Sequence, residues 1–224
     1  HRYDPATDSR RSYAAPAQCG FVLPSADGKF IAGLQGGLHR FDPATGAFEL
    51  LVPVETERPG NRLNDGVVDP QGYLWFGTMD DGEHEASGRF YRLDDDGQVR
   101  PRGFGCPITN GPAFSPDGRT GYFVDTLARQ VWAYDVDAQG QLDGRRLFAA
   151  IDEGPGYPDG PTVDHDGHVW IGIYDGWCAR RYSPAGALVE TVDLPVANVT
   201  KLAFGSIDHR TVFATTAAQK LGEE

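Results

Sequence analysis

The chain has 224 residues, 40% of them hydrophobic, enough for one large domain with a buried core. Its formal net charge of −12 and sequence pI of 4.8 repel polyanions, which argues against nucleic acid as a partner. No apolar run approaches the length of a membrane-spanning helix, the opening His1-Arg2-Tyr3-Asp4-Pro5 is not a signal peptide, and Cys19, Cys106 and Cys178 form no Cys-x-x-Cys pair.

The unpaired cysteines predict a reducing, cytoplasmic setting without a zinc knuckle or a disulfide framework. The 29 Gly and 16 Pro are spread along the chain and read as many turns. A tail strand is predicted at 1–5. Turn-then-strand units follow, each with a Gly at the turn: Ser25-Ala-Asp-Gly28 into Lys29–Gly33, Asp69-Pro-Gln-Gly72 into Tyr73–Gly77, Ser115-Pro-Asp-Gly118 into Arg119–Val124, and Asp164-His-Asp-Gly167 into His168–Gly172. The Gly-to-Gly steps are 44, 46 and 49. A weaker fifth unit, Ile207-Asp208-His209-Arg210 into Thr211–Thr215, lies 43 residues further on. Asp-Gly and Pro-x-Gly suit hairpins because Gly accepts the positive-φ turn position.

A second unit interleaves with the first, with a hydrophobic or basic residue, an aromatic and an Asp or Ser: Leu38–Gly46, Phe90–Asp94, Val131–Asp135 and Ala179–Gly186. Its alternating apolar and polar residues predict strands. Short strands and turns repeating every forty-odd residues predict an all-β, six-bladed β-propeller of four-stranded antiparallel blades. We read residues 1–224 as a single propeller domain. A closed ring at this period needs about 270–300 residues, so the first and last blades are expected to be completed by residues outside these 224.

Ligands of a propeller gather at the mouth of its central channel, reached by the loops that enter the innermost strands. Those loops read Arg62-Leu-Asn64-Asp65-Gly66, Ile108-Thr-Asn110-Gly111-Pro112 and Tyr157-Pro-Asp159-Gly160-Pro161. Asn64, Asn110 and Asp159 are 46 and 49 residues apart, in phase with the blades. Equivalent positions converge on one axis, so two amides and a carboxylate are expected there, suited to a divalent cation or to a polyol. Arg62 shares a strand face with Asn64. It reads either as a donor to a carboxylate or sugar oxygen, or as one half of a salt bridge.

Other polar clusters read as structure. Asp164-His165-Asp166-Gly167-His168 and Asp94-Asp95-Asp96-Gly97 occupy hairpin-turn slots away from the mouth. His39, His84 and His209 are scattered singles, and Cys106 reads as a small buried residue. No Gly-x-Ser-x-Gly elbow and no phosphate-binding Gly motif is present.

Taken in order, Arg62-x-Asn64-Asp65-Gly66 through Gly77-Thr78-Met79, Thr109-Asn110-Gly111-Pro112 through Gly118 with Val124-Asp125-Thr126, Pro158-Asp159-Gly160, and Leu194-Pro195 through Asn198-Val-Thr-Lys201 and Phe204-Gly205 resemble the gluconolactonase/regucalcin family. The stretches Gly77–Glu83 and Asn198–Lys201 look most like those of bacterial aldonolactonases, including xylonolactonases. The resemblance implies a hydrolase that opens a sugar lactone to the aldonic acid, with one divalent metal (Ca, Zn, Mg, Mn or Fe(II)) in the channel. It implies Asn110 and Asp159 as metal ligands, Asp159 also as the catalytic base, and Arg62 and Asn64 as substrate contacts. A third ligand, a Glu in a Gly-Glu-x-Pro segment, is implied too, and that segment does not occur in these residues. An acidic sugar contact is implied after Met79, where Asp81 and Glu83 straddle the expected place. The partner expected is a small sugar lactone, with neither nucleic acid nor membrane. The other reading of the same site is a calcium- or ligand-binding propeller without turnover.

Overall fold

The computed structural model describes residues 1–151, 154–206 and 210–218. Every regular element among them is a strand. The first pair is β1 (Arg2–Asp4) with β2 (Ser9–Arg11). Four four-stranded antiparallel blades follow: β3 (Cys19–Pro24) to β6 (Ala47–Pro53) through β4 (Phe30–Leu34) and β5 (Gly37–Asp42); β7 (Asn61–Val68) to β10 (Val99–Cys106) through β8 (Leu74–Asp80) and β9 (Gly88–Leu93); β11 (Thr109–Phe114) to β14 (Leu142–Ala150) through β12 (Thr120–Asp125) and β13 (Gln130–Val136); and β15 (Tyr157–Val163) to β18 (Leu188–Asp193) through β16 (Val169–Tyr174) and β17 (Cys178–Tyr182). The last pair is β19 (Val199–Gly205) with β20 (Thr211–Thr216). This is the all-β blade arrangement that the period predicts. The fifth turn falls on residues 207–209, outside the described residues, as does His209.

The turn glycines behave as their sequence context predicts. Gly28, Gly72, Gly118 and Gly167 all take positive φ, between 71° and 94°. An L side chain there would be strained, so the hairpins depend on Gly at this slot.

In the second, third and fourth blades the inner strands are largely buried and the outermost strand is more exposed. β8 and β11 are almost wholly buried, whereas β18 is exposed along its length. A strand covered on both faces tolerates a continuous apolar run, which is what Leu74–Met79 supplies. The core therefore lies in layers between successive blades. Phe21, Leu38, Leu63, Leu74 and Phe76 fill the first layer. Trp75, Phe90, Phe114, Phe123 and Tyr134 fill the second. There Phe90 and Phe123 meet edge to face, with centroids 4.9 Å apart. Val124, Val131, Ile151, Ile171 and Ile173 belong to the third. Burying each such aromatic contributes about 1.5–3 kcal/mol, so blade stacking is the main cohesive term.

All five innermost strands carry an irregularity at the same height. Gly20 in β3 and Thr200 in β19 are extra residues in the pairing register. In β7, Asn64 and Asp65 together oppose Gly77; in β11, Gly111 and Pro112 oppose Phe123; in β15, Asp159 and Gly160 oppose Gly172. A bulge re-aims a side chain that would otherwise alternate into the sheet faces. Gly77 shows how tight the packing is at this level, because a Cβ there would lie 2.0 Å from Thr109 Oγ1 of the neighbouring blade.

Candidate functional site

The bulges place Asn64, Asn110 and Asp159 on the wall of one cavity of about 830 Å³, together with Arg62, Asp65, Thr126 and Lys201. The three residues that the repeat phase predicts to converge do converge. A chain of hydrogen bonds fixes them. Arg62 donates from Nη1 to Asn64 Oδ1 at 2.7 Å. Asn64 donates from Nδ2 to the Thr109 carbonyl at 2.8 Å and to Asn110 Oδ1 at 3.0 Å. Asn110 donates from Nδ2 to Thr126 Oγ1 at 2.9 Å, and Thr126 donates to the Pro158 carbonyl at 2.9 Å. The line runs through three blades and ends on the residue before Asp159.

This chain sets the amide orientations. With Asn110 Nδ2 committed to Thr126, its Oδ1 faces the channel, and a carbonyl oxygen bonded once to Asn64 keeps a second lone pair. Asn64 spends both amide hydrogens on its neighbours and presents an oxygen that also receives Arg62.

The salt-bridge reading of Arg62 holds. The side chain pairs with Asp81 at 2.9 Å through Nε while its Nη1 reaches Asn64. Asp81 is further held by Gln18 Nε2 at 3.1 Å. Asp81 is thus an orienting partner of Arg62 at the rim, whereas Glu83 lines the cavity itself, on a left-handed backbone with φ 60°.

Asp159 is electrostatically unusual. Burial pushes its pKa up, and the neighbouring Asp65 carboxylate adds to the rise; the Gly160 amide, Lys201 and Arg62 pull it back only in part, leaving it at about 8. Among the described residues no side chain donates a hydrogen bond to it. Asp65 differs: it is buried and bound by Lys201 Nζ at 2.6 and 2.7 Å.

Asp159 and the free lone pair of Asn110 Oδ1 are hard oxygen donors beside a site where negative charge is under-compensated. That donor set fits a divalent cation such as Ca²⁺, Mg²⁺ or Mn²⁺. The third ligand implied by the resemblance, a Glu within Gly-Glu-x-Pro, has no counterpart among the 224 residues.

The other clusters stand as turn and core. Asp164, Asp166 and His168 bring three potential ligand atoms within 4.8 Å of one another. Asp164, however, already receives Trp170 Nε1, Arg181 and two backbone amides. Cys106 is buried, and that burial pushes its thiol pKa up, away from thiolate chemistry.

Two features of the site are not assigned from sequence. Thr126 links Asn110 to the Asp159 loop, and Lys201 pairs with Asp65 across 136 residues. The first has a local signal, its place at the end of a second strand whose inner neighbour carries Asn110. The second has none, since the repeat relates β7 to β19 as inner strands but does not say that Asp65 and Lys201 meet across the channel.

Comparison with known proteins gives consistent matches. Residues 1–218 match the family described as SMP-30/gluconolactonase/LRE-like region. A pentonolactonase of Haloferax volcanii is 35% identical over 220 residues, covering 81% of this chain and 74% of that protein. A 6-deoxy-6-sulfogluconolactonase of Pseudomonas putida is 32% identical over 225 residues, covering 100% of this chain and 77% of that protein. Among solved structures, a calcium-binding protein, regucalcin, from Agrobacterium tumefaciens superposes with a TM-score of 0.91 at 31% identity, covering 97% of this chain and 74% of that one.

Proposed function

The chain belongs to the SMP-30/gluconolactonase/LRE-like family, and we propose that it is a metal-dependent hydrolase that opens the ring of an aldonolactone to the aldonic acid. One observation carries the reading. Asn64 and Asn110 are joined in one hydrogen-bonded line that runs through Thr126 to the Pro158 carbonyl, and Asp159, the next residue, stands on the same cavity wall with its carboxylate left short of donors. The relatives named pentonolactonase and sulfogluconolactonase support the same substrate class.

Asn110 and Asp159 would hold a divalent cation, which when bound polarises a lactone carbonyl and stabilises the oxyanion. The residues do the rest. Asp159 takes a proton from a water as the water oxygen bonds to the carbonyl carbon. The carbonyl carbon–ring oxygen bond then breaks, and the ring oxygen leaves as a hydroxyl after taking up that proton. Arg62, held by Asp81 and Asn64, has a fixed guanidinium face toward the channel and orients the lactone's oxygens. Asn64 offers its remaining oxygen lone pair to a sugar hydroxyl.

A second reading has its own support, the match to a structure titled a calcium-binding protein. It predicts cation binding without turnover. Acid release from freshly prepared xylono-, arabino- and gluconolactone, measured in full-length protein before and after EDTA and with metals restored, separates the two. Acceleration over the uncatalysed rate that EDTA removes and a metal restores is the expected result. A folded, metal-loaded protein that accelerates none of the three is instead the binding protein.

A further inference from the structure

The bulge in β15 takes Asp159 out of the ladder, and the bulge in β11 begins at Gly111, directly after Asn110, which still pairs with Val124. A bulge lacks part of the ladder that holds a strand in register. Something else must fix the two donors relative to each other. The residue after each donor shows what does so.

Gly111, next to Asn110, donates its amide to Asp65 Oδ2 at 2.9 Å. Gly160, next to Asp159, pairs with Lys201 in the one parallel bridge that joins β15 to β19. It lies flat against the Lys201 stem: a Cβ on Gly160 would stand 3.0 Å from Lys201 Cγ and 3.1 Å from Asp65 Oδ2. Asp65 and Lys201 are themselves joined, with Nζ 2.6 and 2.7 Å from the two carboxylate oxygens. The Asp65 side chain is 8% exposed and that of Lys201 30%. A largely buried ion pair rarely repays the cost of desolvating its charges, so stability alone does not explain this one.

We propose that the Asp65–Lys201 ion pair is a clamp that grips Gly111 and Gly160 and thereby sets the spacing of Asn110 and Asp159 for the cation. The clamp rests on the cation site proposed above. Both members are positioning residues that act through the glycines. It ties β7 to β19, so it links strands that no neighbouring-blade ladder connects.

Charge and position make opposite predictions here. Removing the Lys201 ammonium takes a positive charge away from a cation site, which by Coulomb's law alone tightens cation binding. Loss of a positioning contact loosens it, by about tenfold or more for groups that orient metal ligands. The experiment is a titration of full-length protein with Mn²⁺ alone, following free Mn²⁺ by electron paramagnetic resonance, in the parent, Lys201→Met and Gly160→Ala. Gly160→Ala keeps every charge and has no positive-φ penalty, but its methyl must displace the clamp by a few tenths of an ångström. Both variants are expected to bind Mn²⁺ about tenfold more weakly than the parent; Lys201→Met also melts lower, because it leaves the buried Asp65 carboxylate unpaired, so affinities are read well below each melting transition. Unchanged or tighter binding in folded Lys201→Met overturns the clamp. If that variant does not fold, unchanged affinity in Gly160→Ala overturns it instead. A parent that binds no Mn²⁺ sinks the cation site and the clamp with it, whereas a binding parent with unaltered variants sinks the clamp alone.

Discussion

Asp159 and Asp164 stand at the two ends of the same short strand, β15, and their surroundings drive them in opposite directions. At the turn end, burial pushes the Asp164 pKa up, but the Trp170 indole, Arg181 and the His168 amide outweigh it and hold the carboxyl below its ordinary value. Asp69 repeats the device two blades earlier, taking the Gln71 and Tyr73 amides and the Trp75 indole at 2.7 Å. At the mouth end, Asp159 has burial, a second acid beside it and too few donors. Four residues separate a carboxylate whose bonds are complete from one whose bonds are not. Carboxylates of the second kind cluster at functional sites, and that is the physical ground for proposing the site at this end of the blade.

The largest difference between the two ends is expected in turnover. Asp159→Ala removes both a cation donor and the proposed base, and kcat for lactone opening is expected to fall by about a thousandfold, near the upper part of the general-base range. The same variant in EDTA is expected to melt no lower than the parent at neutral pH, since it removes a carboxyl that stays buried only by holding a proton the unfolded chain has released. Acid-release kinetics and a melting curve read both outcomes, and a near-parental kcat would remove Asp159 from the mechanism.

Asp164→Ala should do the reverse. It strips an acceptor from an indole, a guanidinium and two amides, and bonds to charged groups contribute about 1.5–3 kcal/mol apiece before relaxation. A net loss of about 2–3 kcal/mol in stability is expected, with turnover per folded molecule unchanged. Denaturant midpoints and kcat per folded protein test it. A drop in turnover of the kind expected for Asp159→Ala would erase the division between the two ends.

How much of this contrast is legible in the sequence depends on whether the cause is local. The turn end is fully so: Asp-x-x-Gly dictates the hairpin, and Gly72 and Gly167 take the φ the turn demands. The convergence of Asn64, Asn110 and Asp159 is legible because they fill the same slot in successive repeats, and the repeat maps phase onto an axis. The bulges are not legible, since one extra residue in a strand leaves no mark in an apolar pattern. Arg62 reads two ways in the sequence because its partner Asp81 lies on another strand's loop, and the structure shows that pairing. The Asp65–Lys201 pair is invisible for the same reason on a larger scale. Its members meet only because the inner strands circle one channel.

The most direct check on the Asp159 deficit is the slope of stability with pH. An ordinary carboxyl in the unfolded chain titrates at about 3.9. In the folded, cation-free protein Asp159 titrates at about 8. Between those values the folded state keeps a proton that the unfolded state has released, so stability falls as pH rises, by at most about 1.4 kcal/mol per pH unit for one group. Above about 8 both states are ionised and the slope from this residue ends. Asp164 has the opposite sign and a different window: its folded pKa is depressed, so its contribution is in place above the unfolded value and is lost only as pH falls below it. Across pH 5 to 7 the two ends of β15 are therefore separable. In EDTA the parent should lose stability over that range relative to Asp159→Ala, and saturating Mn²⁺ should flatten the difference, because a bound cation displaces the proton from Asp159 in the folded state. Parallel curves for parent and variant in EDTA would mean that Asp159 is already ionised and compensated, and the two ends of the strand would then be alike.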